Sequence, residues 1–205
     1  AYMNKKQILI AGVFLWVFAV VGTTFVAVTE DTTRSKIEDN ERLVLLRNLN
    51  ALLPAEQLDN DIVNDTGTVP ASGLLGTQDD TIVYRARLEG KPIAVIFNSI
   101  APNGYSGKIH LLVGVYADGS IAGVRAVKHS ETPGLGDAIE TQKSDWIFSF
   151  NSRSLDSPKP SKWLVKKDGG DFDQFTGATI TPRAIVLAVK KTLLYYQQNS
   201  DNIFQ

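Results

Sequence analysis

An α+β domain built on an antiparallel sheet, carried behind a single N-terminal transmembrane helix, is the fold class this sequence predicts. Three observations predict it. Ile8 to Val28 is an unbroken uncharged apolar run. Between Ile82 and Val127 the apolar residues alternate around glycine turns, the two-residue period of half-buried strands. From Thr181 to Gln198 they recur at helical spacing. Strands followed by a flanking helix, rather than strands and helices in alternation, point to a segregated α+β arrangement.

The apolar run comes first. It meets the roughly 20 residues a bilayer core requires and exceeds the apolar core of about 7–15 residues in a cleaved signal peptide. Lys5 and Lys6 precede it, and Glu30 and Asp31 follow. The positive-inside rule therefore puts the N-terminus in the cytoplasm and the rest of the chain outside. The expected organisation is a cytoplasmic stretch at 1–7, a membrane helix at 8–28, a membrane-proximal helix and connector at 29–58, and an extracytoplasmic domain at 59–205.

Within the connector, Lys36 to Leu53 is expected to form its own helix, with Ile37, Val44, Leu45, Leu49 and Leu52 facing the core and Pro54 ending it. An interfacial helix lying on the membrane is the other reading of that stripe. Asp59 to Asp80, rich in Asp, Gly and Thr, reads as connector with a short strand. Ile82–Leu88 and Ile93–Phe97 pair around Glu89-Gly90-Lys91, and Ile109–Tyr116 and Ile121–Val127 pair around Asp118-Gly119. Asn103 to Gly107 reads as a glycine-bracketed loop between the hairpins. A short helix is expected at Asp137–Gln142. The final helix is expected to start with Thr181 as N-cap and Pro182 at its first position, burying Ile185, Val186, Val189, Leu193 and Tyr196.

Composition narrows the chemistry. The 205 residues carry a formal net charge of −1 and no cysteine. There is no basic field for nucleic acid, and no thiolate for zinc, iron–sulfur clusters or c-type haem. With only His110 and His129, a multi-histidine metal centre is not expected. Redox work by this chain calls for an organic cofactor.

The segment that offers chemistry is Asp173-Gln174-Phe175-Thr176-Gly177-Ala178-Thr179, which runs directly into the last helix. A helix N-terminus presents free amides and the positive end of a dipole, which suit a phosphate. Gly177 and Ala178 let a bulky group approach. Thr176, Thr179 and Thr181 bring hydroxyls that can donate to a phosphate or be esterified by it. Ordinary helix capping by these threonines is the plain alternative.

Asp173-x-x-Thr176-Gly177-Ala178-Thr179 resembles the flavin-attachment motif of the FMN-binding domain family. That family includes the G subunits of Rnf electron-transport complexes and the C subunits of sodium-pumping NADH:quinone reductases. His129-Ser130-Glu131-Thr132-Pro133-Gly134-Leu135-Gly136 is similar to the family's ETPGLG loop, and Gly104-Tyr105-Ser106-Gly107 to its glycine-rich loop. The likeness spans the chain, and its layout is closest to the Rnf G subunits.

The resemblance implies FMN joined through a phosphoester to Thr179 by a separate flavin transferase. It implies cofactor contacts from Thr176, Gly177, Ala178, Tyr105, Ser106, Glu131, Thr132, Gly134, Leu135 and Gly136. Lys143 pairs with the phosphate or is a solvated lysine; Trp146 stacks near the ring or belongs to the core. Glu131 accepts from the flavin or faces water, His129 relays protons or is structural, and Asp173 is read by the transferase or caps the loop. No residue is expected to be catalytic and none to bind a metal.

The implied activity is electron transfer in an ion-translocating ferredoxin:NAD oxidoreductase of the bacterial inner membrane. The chain lacks a dinucleotide fingerprint and cluster ligands, so partner subunits are required. The C subunit of a quinone reductase, and a membrane-tethered FMN-domain sensor without redox function, are the alternatives.

Overall fold

The computed structural model describes residues 5–204; residues 1–4 of the expected cytoplasmic stretch lie outside them. Their first element is helix α1, Lys5–Leu52. No proline interrupts the sequence before Pro54, and the threonines at the end of the apolar run bond back along the helix instead of competing with it. Thr23 Oγ1 donates to the Ala19 carbonyl at 2.7 Å, Thr29 Oγ1 to Phe25 at 2.8 Å and Thr32 Oγ1 to Val28 at 2.8 Å. Arg34 and Glu38 add an i,i+4 pair at 3.4 Å. The separate membrane and membrane-proximal helices expected from the sequence are therefore one helix. Its apolar stretch is exposed and is long and apolar enough to cross a membrane.

The chain divides into two compact units, one ending at Leu45 and one beginning at Leu46. This division corrects the stripe expected on residues 36–53. Ile37 and Val44 are 54% and 52% exposed, and only Leu49 and Leu52, with Leu53 just beyond, are buried. The last turns of α1 belong to the second unit; the residues before them do not.

The second unit contains a five-stranded antiparallel meander in the order β1-β2-β3-β4-β5. Its strands are β1 (Thr66–Val69), β2 (Thr81–Leu88), β3 (Lys91–Gly104), β4 (Gly107–Tyr116) and β5 (Ile121–Lys128). Both expected hairpins are present, and the short strand of the connector is β1. Asn103 to Gly107 is not a loop. Strand β3 runs on to Gly104, which pairs with Gly107 across the two-residue turn Tyr105-Ser106, and Gly107 takes φ +122° to make that turn possible.

Register sorts the side chains onto two faces. Phe97 lies opposite Val113, and Val113 opposite Val124; with Val83, Val95 and Val115 they form the main core. The other face carries Ile96, Gly114 and Gly123 in the same cross-strand row. Gly123 sits where an added Cβ would come within 2.8 Å of Leu52 Cδ2. Arg125 closes that end of α1 by donating to the Ala51 carbonyl at 2.7 Å, satisfying a carbonyl the helix leaves unpaired.

Helix α2, Ile180–Ile203, packs on the main core face against β3 and β4. The five residues expected to form its buried stripe are all buried, and Tyr195 and Tyr196 meet Phe97 edge-on at 5.9 and 6.3 Å between centroids. Its start differs from expectation: the N-cap position is Thr179, not Thr181. Between β5 and α2 the chain folds through short 3₁₀ turns, including Gly136–Ile139 in place of the helix expected at Asp137–Gln142, and Trp146–Phe150. Phe150, Trp163 and Phe172 stack there into an aromatic layer.

Candidate functional site

Three stretches far apart in sequence meet at the N-terminus of α2. They line a cleft of about 220 Å³ formed by Tyr105, Glu131, Thr132, Leu135, Gly136 and the run Gly177–Thr181. The first stretch is the β3–β4 turn, the second the loop after β5, the third the segment entering α2.

The third is shaped by a tight turn. Ala178 N–H donates to the Phe175 carbonyl at 3.2 Å, with Gly177 at φ +80°, the left-handed value a type II turn places at its third residue. The chain then enters α2 through Thr179, whose side chain makes no capping hydrogen bond. Ordinary capping, the plain alternative for this threonine, is therefore absent. Pro182 has no N–H to offer, and the Arg183 amide donates to the Thr179 carbonyl at 3.3 Å.

The second stretch is organised around Glu131. Its carboxylate is buried, 5% exposed, and accepts from the Ser106 amide at 3.0 Å, the Tyr105 amide at 3.3 Å and the Thr181 hydroxyl. So Glu131 does not face water; it joins the turn, its own loop and α2. Space around it is tight. A Cβ on Gly136 would lie 3.0 Å from Glu131 Oε2 and 3.1 Å from Thr181 Oγ1, and one on Gly104 would lie 2.8 Å from Glu131 Oε1. At Gly136 the carboxylate and the Thr181 hydroxyl exclude a side chain; at Gly104 the Gly107 carbonyl oxygen, nearer still to an added Cβ, excludes it first and the carboxylate second. The Glu131 amide in turn donates to His129 Nδ1 at 3.2 Å, while His129 Nε2 faces Glu140 at 3.3 Å; the histidine holds the loop's entry.

Asp137 secures the far end of the same loop. The Gly134 amide lowers its pKa from the usual carboxylate value, and Lys143, 3.4 Å away, adds to that shift. Gly134 itself has φ +76°.

Not every residue singled out from sequence lines the cleft. Ser106 contributes its amide to Glu131, and Thr176 is exposed within the turn before Ala178. Lys143 is half exposed and paired with Asp137. Trp146 is a core residue, edge-on to Phe150 at 5.3 Å and Phe175 at 5.0 Å. Its indole N–H donates to the Asp173 carbonyl at 2.7 Å. Asp173 caps nothing with its side chain, which pairs with Lys166 at 2.7 Å in solvent.

Sequence reasoning named Gly104 only as part of the glycine-rich stretch, and it missed Asp137 and the pairing of Asp168 with Arg183. In that pair two guanidinium bonds, at 2.7 and 2.8 Å, lower the aspartate's pKa, raise the arginine's and brace the segment before the cleft against α2. Only Gly104 left a trace, in the glycine bracket around the turn.

Chemically, the cleft offers the Thr179 hydroxyl free of any capping bond, the N-terminus of a 24-residue helix, and a rim of exposed apolar side chains. Tyr105 is 67% exposed, Leu135 47% and Ile180 45%. This combination suits a ligand with an anionic end and a flat apolar body. Among the described residues no cluster of His, Cys, Asp and Glu could hold a metal ion.

Comparison with known proteins agrees with that geometry. The profile of the FMN-binding domain matches residues 104–194, which hold the whole cleft, and that of the RnfG N-terminal region matches residues 3–52. The chain is 46% identical to the G subunit of the ion-translocating oxidoreductase complex of Pseudoalteromonas atlantica, across 97% of this chain and 93% of that protein. It is 44% identical to the G subunit from Shewanella amazonensis (98% and 93%) and 45% identical to that from Pseudomonas aeruginosa (98% and 94%). With one apolar helix ahead of an FMN-binding domain and this likeness over nearly its full length, the chain belongs to the family of the G subunits of ion-translocating oxidoreductase complexes.

Proposed function

We propose that this chain is the flavin-bearing electron-transfer subunit of an ion-translocating ferredoxin:NAD oxidoreductase, with FMN held by a phosphoester to Thr179. One observation carries the reading: the hydroxyl of Thr179 stands at the N-cap of α2 without a capping bond, inside the cleft. The residues present fit the group. The helix N-terminus favours the phosphate, the turn at Gly177 keeps the approach to Thr179 open, and Tyr105, Leu135 and Ile180 give the ring system apolar surface to cover.

FMN, when bound, supplies the redox chemistry. The chain's own residues fix where it sits. A phosphoester leaves the ring electronically unaltered, so the protein acts on the flavin through contacts of Tyr105, Thr132, Leu135, Gly136, Gly177 and Ala178. Ser106, Thr176, Gly134, Lys143 and Trp146 support those walls. Glu131 holds the walls together.

The same reading assigns the membrane and the partners. Lys5 and Lys6 on one side of the apolar helix, and Glu30 and Asp31 on the other, support a cytoplasmic N-terminus and a periplasmic flavin domain in the bacterial inner membrane. Other subunits supply electrons and take them on, and a flavin transferase makes the ester.

Denaturing intact-mass spectrometry of the protein from its native host tests this. A gain of about 438 Da, the mass of FMN less one water, that is absent in Thr179→Ala supports covalent redox cofactor binding. An unmodified wild-type mass in cells that contain the transferase overturns the covalent attachment, and a membrane-tethered FMN-domain sensor without redox function becomes the better description.

A further inference from the structure

Among the described residues, Glu131 is the one buried carboxylate that lines the cleft. We propose that it is a positioning residue: it fixes the Tyr105-Ser106 turn as a wall of the cleft, and so sets the surroundings of any ring bound beside Thr179. The inference deepens the FMN reading and rests on it for the identity of the ring.

The donor count supports the proposal. An ionised carboxylate only accepts, and here three donors converge on it: two successive backbone amides and one hydroxyl. Successive amides aimed at one carboxylate fix the orientation of a turn as well as its distance. The turn needs such a tie. Tyr105 and Ser106 are exposed at the tip of the β3–β4 hairpin, beyond the last strand pair at Gly104 and Gly107. Their two amide bonds to Glu131 are what ties that tip to the residues around Thr179. The third donor, Thr181, is two residues beyond Thr179 on the first turn of α2, so the carboxylate measures the turn against the very helix end that presents the attachment hydroxyl. Gly104 and Gly136 leave no room for a side chain between. A displacement of Glu131 therefore moves both walls of the cleft.

Glu131→Gln tests this with nearly unchanged shape. The amide has one acceptor and one donor group, so with three donors facing it at least one is left unpaired. The full chain is purified in detergent, without flavin from cells lacking the transferase and with flavin from cells containing it. In the flavin-free protein the Tyr105 and Ser106 amides are expected to exchange hydrogen at least about tenfold faster than in wild type, with β3, β4 and α2 protected as before. In the flavin-bearing protein the visible circular dichroism of the flavin is expected to weaken while the mass gain persists; a purely structural role would leave that signal unmoved. Thr181→Val is expected to move both readouts the same way and Thr181→Ser to restore them.

Wild-type exchange at both amides together with a wild-type flavin signal overturns the proposal. Should Glu131→Gln fail to fold, Thr181→Val decides by the same two criteria. A wild-type protein lacking the mass gain would remove the FMN reading alone, because the exchange of Tyr105 and Ser106 is measured without flavin.

Discussion

The indole nitrogen of Trp146 donates to the backbone carbonyl of Asp173 at 2.7 Å, joining the aromatic core to the first residue of the motif that ends at Thr179. The motif is thus fastened at its first residue, Asp173, by Trp146, and just beyond its last by the bond from Thr181 to Glu131. Trp146→Phe keeps a ring in the core and removes the donor. It is expected to cost about 0.5–1.5 kcal/mol in urea unfolding, the net contribution of one hydrogen bond, and, on the proposed covalent reading, to lower the fraction of chains carrying flavin by mass spectrometry.

Gly134 and Gly136 are glycines for different reasons, and substitution separates them. Gly136→Ala drives a methyl against Glu131 and Thr181 and is expected to destabilise by about 1–3 kcal/mol, with loss of flavin loading. Gly134→Ala has open space for its Cβ but must hold φ +76°, at a cost of about 1–2 kcal/mol. Gly134→Asn, better tolerated at positive φ, is expected to recover most of that in thermal unfolding, whereas Gly136→Asn recovers nothing.

Asp137 ties stability to acid pH. Its folded-state pKa lies below the ordinary value of 3.8 because the Gly134 amide and then Lys143 favour the charged form. Such a group contributes stability that is fully present above the unfolded-state value and is lost as pH falls through the folded one. Asp137→Asn is expected to flatten the decline in stability below about pH 4 relative to wild type, followed by urea unfolding at a series of pH values. An unchanged acid limb would show that the contact does not persist in solution.

Thr192 provides a control remote from the cleft. Its buried hydroxyl lies 2.9 Å from Ser99 Oγ and 3.0 Å from the Ala188 carbonyl oxygen, while Ser99 donates to the Leu75 carbonyl at 3.3 Å. Thr192→Val is expected to cost about 1 kcal/mol and to leave flavin loading and the flavin spectrum as in wild type. A spectral change would show that the cleft responds to α2 packing in general, not to Glu131 in particular.

Much of this was legible in the sequence, and the exceptions at the cleft have a common cause. Alternation around Gly90 and Gly119 marked both hairpins, and the stripe from Ile185 to Tyr196 marked α2, because burial on one face imposes a period that needs no knowledge of the partner. Continuity of α1 was hidden because hydropathy stops at Val28 while the helix does not: Thr29 to Arg34 change polarity without breaking the backbone. Thr181 read as a cap because Thr-Pro suits a helix start, but its hydroxyl is taken by a residue fifty positions earlier. Glu131 read as a solvent-facing or flavin-facing loop glutamate for the same reason. Its partners become visible only once sheet register has brought Tyr105 beside it. The motif pointed to Thr179; local pattern could not reveal what holds the cleft around it.

The meander has a consequence for how the protein is made. Each strand pairs with its neighbour in sequence, so the sheet closes through local connections, which favours its early formation. The cleft is the exception: Tyr105 reaches Glu131 across 26 residues and Thr181 reaches it across 50, and the second bond requires α2, the last helix among the described residues. The β3–β4 turn, the Glu131 loop and the start of α2 must all have left the ribosome before Thr179 has walls around it. On the proposed covalent reading, an enzyme that recognises that threonine by its surroundings would act on the folded domain, and half-made chains would escape it.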